Sequence, residues 1–362
     1  MEDKQTITNS TWLMVMVLFF LTCPTYASND EFVAEGTIAY QVLSYDGSVF
    51  VEQDDLFTVS VKDCEWSIKK IPTRFLKNGK EQPLAEYGIA SSDSTNFYQV
   101  SSFKGIVSTE KQKREAFDGR IGPGAVPFGL SDPKYIVLWY AFGSGCYFPS
   151  LTNNQVNPPT ILKTEGAYAQ DFRVTAHWEL ESGPPFLPRF ITFDTPPALQ
   201  KTATGTERGH LTNCVFTVQE FTNVFGLAIP TVITVNYFGW HPLNPTTIIP
   251  TSRMRIVVSN FQARVAVEHF RPEIPEPAVI SDLRTIASNT PFGVASRNSR
   301  TWPNIEDSKK RASARAQAIG MAEHRNKSHV TLLRISLISV VIAPALWLGI
   351  QQLRARNKKA KQ

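Results

Sequence analysis

The chain has 362 residues, a formal net charge of +5 and four cysteines. Its charge is unevenly distributed, because residues 28–271 carry 21 Lys and Arg against 24 Asp and Glu, whereas residues 272–362 carry 15 against 6. A globular nucleic-acid-binding protein needs its cations on the folded domain, so the slightly acidic body of this chain argues against that class.

The first 27 residues have the layout of a signal peptide. An apolar stretch runs from Trp12 to Leu21, too short to cross a hydrocarbon layer of about 30 Å. Thr25 and Ala27 suit the −3 and −1 positions of a cleavage site. We therefore expect cleavage after residue 27 and export of the mature chain. The alternative is a lipoprotein, in which Cys23 becomes the lipidated first residue.

Residues 28–271 are predicted to form one extracytoplasmic β-rich domain. Apolar side chains alternate in one phase at 57–61 and in the other at 64–68, and this slip near Lys62 predicts a β-bulge. Asn78-Gly79 predicts a tight turn, whereas the pair Asp54-Asp55 is interpreted as a turn. Further strands are predicted at 97–103, 172–180, 214–221, 230–238 and 254–267, with a loop at 222–227.

One segment departs from the β pattern. Ser131-Asp132-Pro133 has the capping side chain and early proline that begin a helix, and it leads into the apolar run Tyr135 to Phe142. We expect a buried helix here, ending at Gly143, and a fully buried strand is the alternative.

The last ninety residues predict a membrane anchor. We interpret residues 272–329 as a proline-containing linker followed by a charged juxtamembrane segment, 330–353 as a transmembrane helix and 354–362 as a basic cytoplasmic tail. Two alternatives are a buried core helix at 330–353 and a sorting segment that is clipped from a surface protein.

The opening strand Gly36–Tyr40, the hairpins at Phe57–Ile68 and Tyr87–Phe103, and the element Phe221–Pro230 together resemble LolA-type outer-membrane lipoprotein-sorting proteins. The resemblance covers about residues 32–270. It implies a mainly β (α+β) fold: a curved antiparallel sheet, or half-barrel, with a plugging helix on its concave face. LolA itself is a soluble shuttle, so a tethered chain fits a membrane-linked sensor or regulator better.

The resemblance also implies an apolar cavity that takes acyl chains or another hydrophobic ligand. Its walls in this sequence would be Tyr135, Leu138, Trp139, Phe142, Phe172, Val174 and Trp178. The alternative is that these side chains form an ordinary core.

The sequence contains no motif of a known catalytic or nucleotide-binding site, and we expect no cofactor and no metal. His177 and Glu179 share one face of a strand, which a metal could use but a solvated surface explains as well. Among Cys64, Cys146 and Cys214 at most one disulfide can form.

These features predict a single-pass membrane protein whose main domain is periplasmic or extracellular. We expect it to bind a hydrophobic ligand, or to act as a sensor or adaptor for a membrane protein partner, without catalysis. Its other expected partner is the lipid bilayer, and no nucleic acid is expected. The alternatives are an extracytoplasmic hydrolase or metal-dependent enzyme with an unrecognised site, or a surface protein with a processed C-terminal segment.

Overall fold

A computed structural model describes residues 31–106, 117–124, 132–148, 161–167, 174–183, 185–195, 210–224, 226–244, 246–263, 270–274, 276–285 and 294–318. The predicted signal peptide, transmembrane helix and basic tail lie outside these ranges. Within them, no helix has both the length and the apolar character needed to span a bilayer.

Alternating apolar and polar side chains place most of the described residues in β-strands. The strands of the described residues are β1 Glu31–Leu43, β2 Val49–Lys62, β3 Glu65–Lys77, β4 Lys80–Glu81, β5 Tyr87–Ser92, β6 Asn96–Ser102, β7 Phe117–Pro123, β8 Ile161–Ala167, β9 Val174–Leu180, β10 Pro188–Asp194, β11 Thr212–Val224, β12 Leu227–Trp240, β13 Ile248–Gln262, β14 Ala278–Asp282 and β15 Val294–Ser299. The predicted loop at 222–227 is therefore mostly strand, because β11 and β12 pair up to a short turn.

All these strands belong to one curved, open sheet. Their order is β15-β14-β7-β6-β5-β3-β2-β1-β13-β12-β11-β10-β9-β8, and β4 pairs with β3 beside this path. Neighbours are antiparallel except β14 and β7, which are parallel. The predicted mainly β fold with a curved sheet is thus confirmed.

The hairpin turns explain why the alternation of apolar and polar residues changes phase between neighbouring strands. The slip near Lys62 is not a bulge: Lys62 pairs with Glu65 across a two-residue turn in which Asp63 has a φ of 52°. The predicted turn at Asn78-Gly79 is confirmed, since both residues have positive φ, 52° and 72°, as a tight hairpin turn requires.

Two short helical stretches cover one face of this sheet, which we call the inner face. Helix α1 is Pro133–Leu138, and it continues as a π-helical turn, Trp139–Gly143. We call residues 133–143 the plug helix. It packs against β2, β3 and β12, and it confirms the predicted buried helix ending at Gly143. A 3₁₀ turn, Lys104–Ile106, lies between β6 and β7.

The opposite, outer face has a smaller apolar cluster near the β15 edge. Its members are Tyr98, Val100, Phe117, Ile121, Ala278, Ile280 and Trp302. Trp302 packs edge-on against Tyr98, with ring centroids 4.9 Å apart, and its Nε1 donates to the Pro272 carbonyl at 2.7 Å. The chain after β13 therefore returns to cover the sheet.

This arrangement differs from the linker expected from residue 272 onward. β14 and β15 extend the sheet, because Val279 and Ile280 pair with Asp118 and Gly119 of β7. A second helix, α2, follows at residues 305–318, and it buries Ser308 and Ala312 on one side. The folded body thus reaches at least to α2, and local prolines do not mark a boundary here.

Candidate functional site

The plug helix begins with a side-chain N-cap. Asp132 is the N-cap, and its Oδ1 accepts a hydrogen bond from the backbone N–H of Lys134 at 2.9 Å. Pro133 lies in the first turn, where it has no need of a backbone donor. At the other end, Ser144 Oγ donates to the Tyr140 carbonyl at 2.7 Å. Each end of this short helix thus has one local side-chain hydrogen bond.

Aromatic rings join the plug helix to β9 and β10. The ring of Tyr140 lies 5.4 Å from that of Trp178 and 5.6 Å from that of Phe193, measured between centroids. Phe148, after the helix, lies 5.2 Å from Trp178 in an edge-on arrangement. Such contacts contribute about 0.5–1.5 kcal/mol each beyond the area that they bury. The interior is thus closed by rings from both the helix and the sheet.

An apolar crevice remains between the plug helix and strands β10–β12. Its free volume is about 10 Å³, roughly the space of one water molecule, so it is far smaller than a typical ligand pocket. Its lining residues are Pro133, Ile136, Val137, Tyr140, Phe193, Cys214, Phe216, Val235 and Tyr237. The side chains thus leave almost no free space here, and a ligand could enter only if the plug helix moved.

Six of the predicted cavity-wall residues lie in the interior. Tyr135, Leu138, Trp139, Phe142, Val174 and Trp178 are all buried in the inner-face cluster, whereas Phe172 lies outside the described residues. None of the six lines the crevice itself; Ile136, Val137 and Tyr140 of the same helix do. The structure therefore brings the predicted residues together as packed core, and their role as ligand contacts stays a prediction.

Four charged side chains meet where the plug helix begins; we call Asp55, Lys70, Asp132 and Lys134 the charged cluster. Lys70 Nζ contacts Asp132 Oδ2 and lies 4.0 Å from Asp55 Oδ2. Lys134 Nζ lies 3.1 Å from the same Asp55 oxygen. The cluster thus fastens the helix start to β2 and β3 through alternating charges.

Burial strengthens the electrostatic contacts within the charged cluster. The side chains of Lys70 and Lys134 are 7% and 5% exposed and that of Asp55 is 1% exposed, whereas Asp132 retains 29%. Each ammonium also lies over an aromatic ring, Lys70 Nζ at 4.2 Å from the Tyr135 centroid and Lys134 Nζ farther from Tyr40. The two anions and two cations compensate one another, so Asp132 is the accessible member of a neutral set.

The surroundings shift the pKa values of three groups. Burial lowers the pKa of the Lys70 ammonium, and Lys134 adds to this, while Asp132 and Asp55 offset it only in part. Burial alone would raise the pKa of the Asp132 carboxyl, but the charges of Lys70 and Lys134 bring it below its ordinary value. Burial, with help from both carboxylates, raises the pKa of the Tyr135 phenol well above its ordinary value. At neutral pH the phenol therefore stays protonated.

The sequence analysis missed the charged cluster, although the strand phase contained a signal. Asp55 lies in the middle of β2, not in a turn, and it shares the buried phase of Phe57 and Val59. Lys70 likewise continues the buried phase of Trp66 and Ile68 in β3. Two opposite charges in the dry phase of adjacent strands indicate a buried pair.

The other candidate groups form no comparable site. His177 is half exposed on β9, and its Nε2 lies 3.3 Å from Asp194 Oδ2. In the described ranges, no three His, Cys, Asp or Glu side chains are placed to hold a metal ion. No disulfide joins Cys64, Cys146 and Cys214, all of which are described. Burial raises the pKa of the Cys214 thiol, which lies against Tyr237.

The chain is similar to a LolA superfamily protein. That protein, from Nitrosomonas europaea, shares 10% identity, and the match covers 67% of this chain and 91% of that one with a TM-score of 0.31. This is the family that the strand pattern resembles.

Two further structures are similar. A DUF1329 family protein from Desulfovibrio piger shares 9% identity over 71% of this chain and 94% of that one, with a TM-score of 0.26. A beta-barrel-like protein of domain of unknown function DUF1849 from Brucella abortus shares 8% identity over 64% and 97%, with a TM-score of 0.31. No protein-family model matches the sequence, and no curated protein matches it.

Proposed function

We propose that this chain is an extracytoplasmic binding protein that takes a hydrophobic ligand between its plug helix and the inner face of its sheet, without catalysis. The observation that carries the proposal is a short helix seated on the apolar inner face of a curved sheet, with a small apolar crevice beside it. When the ligand binds, the inner face of the sheet would lose its contacts with the plug helix and form contacts with the ligand.

The way in which the plug helix is held supports this exchange. Most of its buried side chains are apolar or aromatic, so an acyl chain could replace many of their packing contacts. Its ion pairs with the sheet lie at its first turn, in the charged cluster. We propose that ligand entry releases these ion pairs and moves the start of the helix away from the sheet.

Photo-crosslinking of the full chain in lipid nanodiscs tests the proposal. A hexadecanol that carries a diazirine at its chain end is the probe, and labelled peptides are identified by mass spectrometry. We expect labels on residues 133–143 and on the facing strands β10–β12. Labels confined to residues beyond 318, or spread evenly over exposed positions, would refute the proposal.

A pair of matched variants sharpens this experiment. Val137→Phe puts a larger side chain into the crevice, whereas Val49→Phe makes the same change at a position that is 41% exposed. We expect the first to reduce interior labelling several-fold and the second to leave it unchanged. Far-ultraviolet circular dichroism confirms that both variants are folded.

We further propose that the body is held to a membrane by residues 330–353, with the body outside the cytoplasm. The apolar stretch from 335 to 350 and the basic tail after it support this arrangement. Extraction of membranes with alkaline carbonate checks the anchor, because a spanning segment keeps the chain in the pellet. Release into the supernatant would contradict it, as would protection of residues 31–318 from protease added to spheroplasts.

A further inference from the structure

Two hairpin turns of the central strands lie side by side at one end of the sheet. The first joins β1 to β2, and the second joins β12, which ends at Trp240, to β13. Because β1 pairs with β13 as far as Val42 and Ser252, both turns project from the same end. They also touch, since the ring of Tyr45 lies edge-on to that of His241, with centroids 5.7 Å apart.

Exposed apolar side chains concentrate at this end. Among the described residues ten large apolar side chains are exposed, and five of them belong to these two turns or the strand ends beside them: Tyr45, Val49, Phe50, Leu243 and Ile248. The three most exposed are Leu243, Tyr45 and Ile248, which we call the tip surface. Leu243, at 84%, is the most exposed of the ten. Such a concentration is typical of a surface that contacts a membrane or a protein.

The second turn hydrogen-bonds its backbone donors internally. The N–H of His241 donates to the Thr247 carbonyl at 2.7 Å, and the N–H of Thr247 donates to the Asn244 carbonyl at 3.0 Å. The ring Nδ1 of His241 accepts a hydrogen bond from the N–H of Leu243 at 3.1 Å. A backbone donor without a partner is costly in lipid, so this turn can present Leu243 to a bilayer without that penalty.

The charges at this end have no dominant sign. Residues 44–48 and the neighbouring β3–β4 hairpin at 77–81 carry two anions, Asp46 and Glu81, and two cations, Lys77 and Lys80. Attachment through this end would therefore depend on apolar contact. The same charges favour a position among the lipid head groups over one in the hydrocarbon, where a charge is expensive.

The proposed anchor keeps the body close to a bilayer. α2 ends at residue 318 and the proposed span begins at 330. At about 3.5 Å per residue the segment between them reaches at most about 40 Å. We propose that the tip surface inserts into the head-group region of the membrane that holds the anchor, where tyrosine is a favoured residue. This inference rests on the proposed anchor and does not depend on the ligand.

Photo-labelling from the lipid tests the contact. The full chain is held in nanodiscs of phosphatidylcholine that contain a phosphatidylcholine with a diazirine near the start of one acyl chain. We expect labels on Tyr45, Leu243 and Ile248 as well as on residues beyond 318. About 1 M sodium chloride, which screens charges beyond about 3 Å, should leave the tip labels unchanged.

Matched variants assign the contact to the tip surface. Leu243→Asp puts a charge at the most exposed position and should reduce labelling of both turns several-fold, whereas Leu243→Trp should retain it. Ile161→Asp is the control, because Ile161 is 77% exposed at the start of β8, the last strand of the sheet order. It should leave the tip labels unchanged. Far-ultraviolet circular dichroism confirms that the variants are folded.

Four outcomes would overturn the inference. Labels beyond 318 without labels on the tip surface would do so while leaving the anchor intact. Equal labelling of Leu243 and Ile161, or tip labels that survive Leu243→Asp, would mean that the lipid reacts with any exposed position. Unlabelled tips with Lys77 cross-linked between two chains would assign the surface to a second copy. Absence of labels beyond 318 would overturn the anchor and this inference together.

Discussion

The hydroxyl group of Tyr135 occupies the space that a Cβ atom at Gly88 would need. The plug helix therefore lies against β5 so closely that only a glycine fits beneath its first turn. Gly88→Ala should lift the helix and cost about 1–3 kcal/mol, as overpacking in a core does. Thermal unfolding of the full chain, followed by tryptophan fluorescence, measures this loss.

A double variant distinguishes this contact from a general effect of alanine. Tyr135→Phe removes the hydroxyl, so Gly88→Ala combined with Tyr135→Phe should recover part of the stability that Gly88→Ala loses. Gly183→Ala is the control, because nothing lies within 4 Å of a Cβ atom there. If Gly88→Ala and Gly183→Ala lose equal stability, the close packing of the plug helix against β5 is contradicted.

Lys70 should contribute far more to stability than a surface lysine. Lys70→Met leaves Asp132 without its ammonium partner in a largely dry site, and breaking a buried ion pair costs about 3–5 kcal/mol. Lys62→Met removes an exposed pair with Glu31, which water and salt screen, so the loss of stability should be small. Chemical denaturation of both variants compares the losses, and equal values would mean that the cluster does not hold the helix.

The lowered pKa of Asp132 predicts acid sensitivity. The carboxyl binds a proton less readily in the folded than in the unfolded chain, so the unfolded state gains protons first as the pH falls. The stabilisation is present above the ordinary carboxyl pKa of about 4 and is lost as the pH drops through the lower folded value. Unfolding curves recorded between about pH 5 and about pH 2 measure the loss.

Asp132→Asn provides the comparison for this pH dependence. The amide caps the helix but does not titrate, so the variant should be less stable than the wild type at neutral pH and should lose less on acidification. If the stability of the two proteins falls in parallel as the pH decreases, a carboxyl other than that of Asp132 causes the acid sensitivity.

Local patterns predicted the strands and turns because each depends on neighbouring residues. Period two along β9 places Ala176 and Trp178 inside, and positive φ at Asn78 and Gly79 follows from residue type. The cap at Asp132 was predicted for the same reason, since it needs only the residues that follow it.

Long-range contacts had no such local signal. Lys70 and Asp132 are 62 residues apart, and nothing between them indicates that they meet. The parallel pairing of β14 with β7 joins Ile280 to Gly119 across more of the chain, in a region whose prolines and polar residues suggested a linker. These features arise from tertiary packing, which overrides local preference.

The position of Trp302 gives the final prediction, because it tests whether the segment after residue 271 belongs to the folded body. Trp302→Ala removes a ring that is 8% exposed, its contact with Tyr98 and its hydrogen bond to the Pro272 carbonyl. Such a truncation in a core costs about 3–5 kcal/mol. Limited proteolysis of the full chain should then cut between residues 270 and 304 much faster than in the wild type. Tyr45→Ala, at a ring that is 62% exposed, should change neither stability nor cleavage. If Trp302→Ala behaves like Tyr45→Ala, the segment is a linker after all, since a linker loses nothing when one of its side chains is shortened.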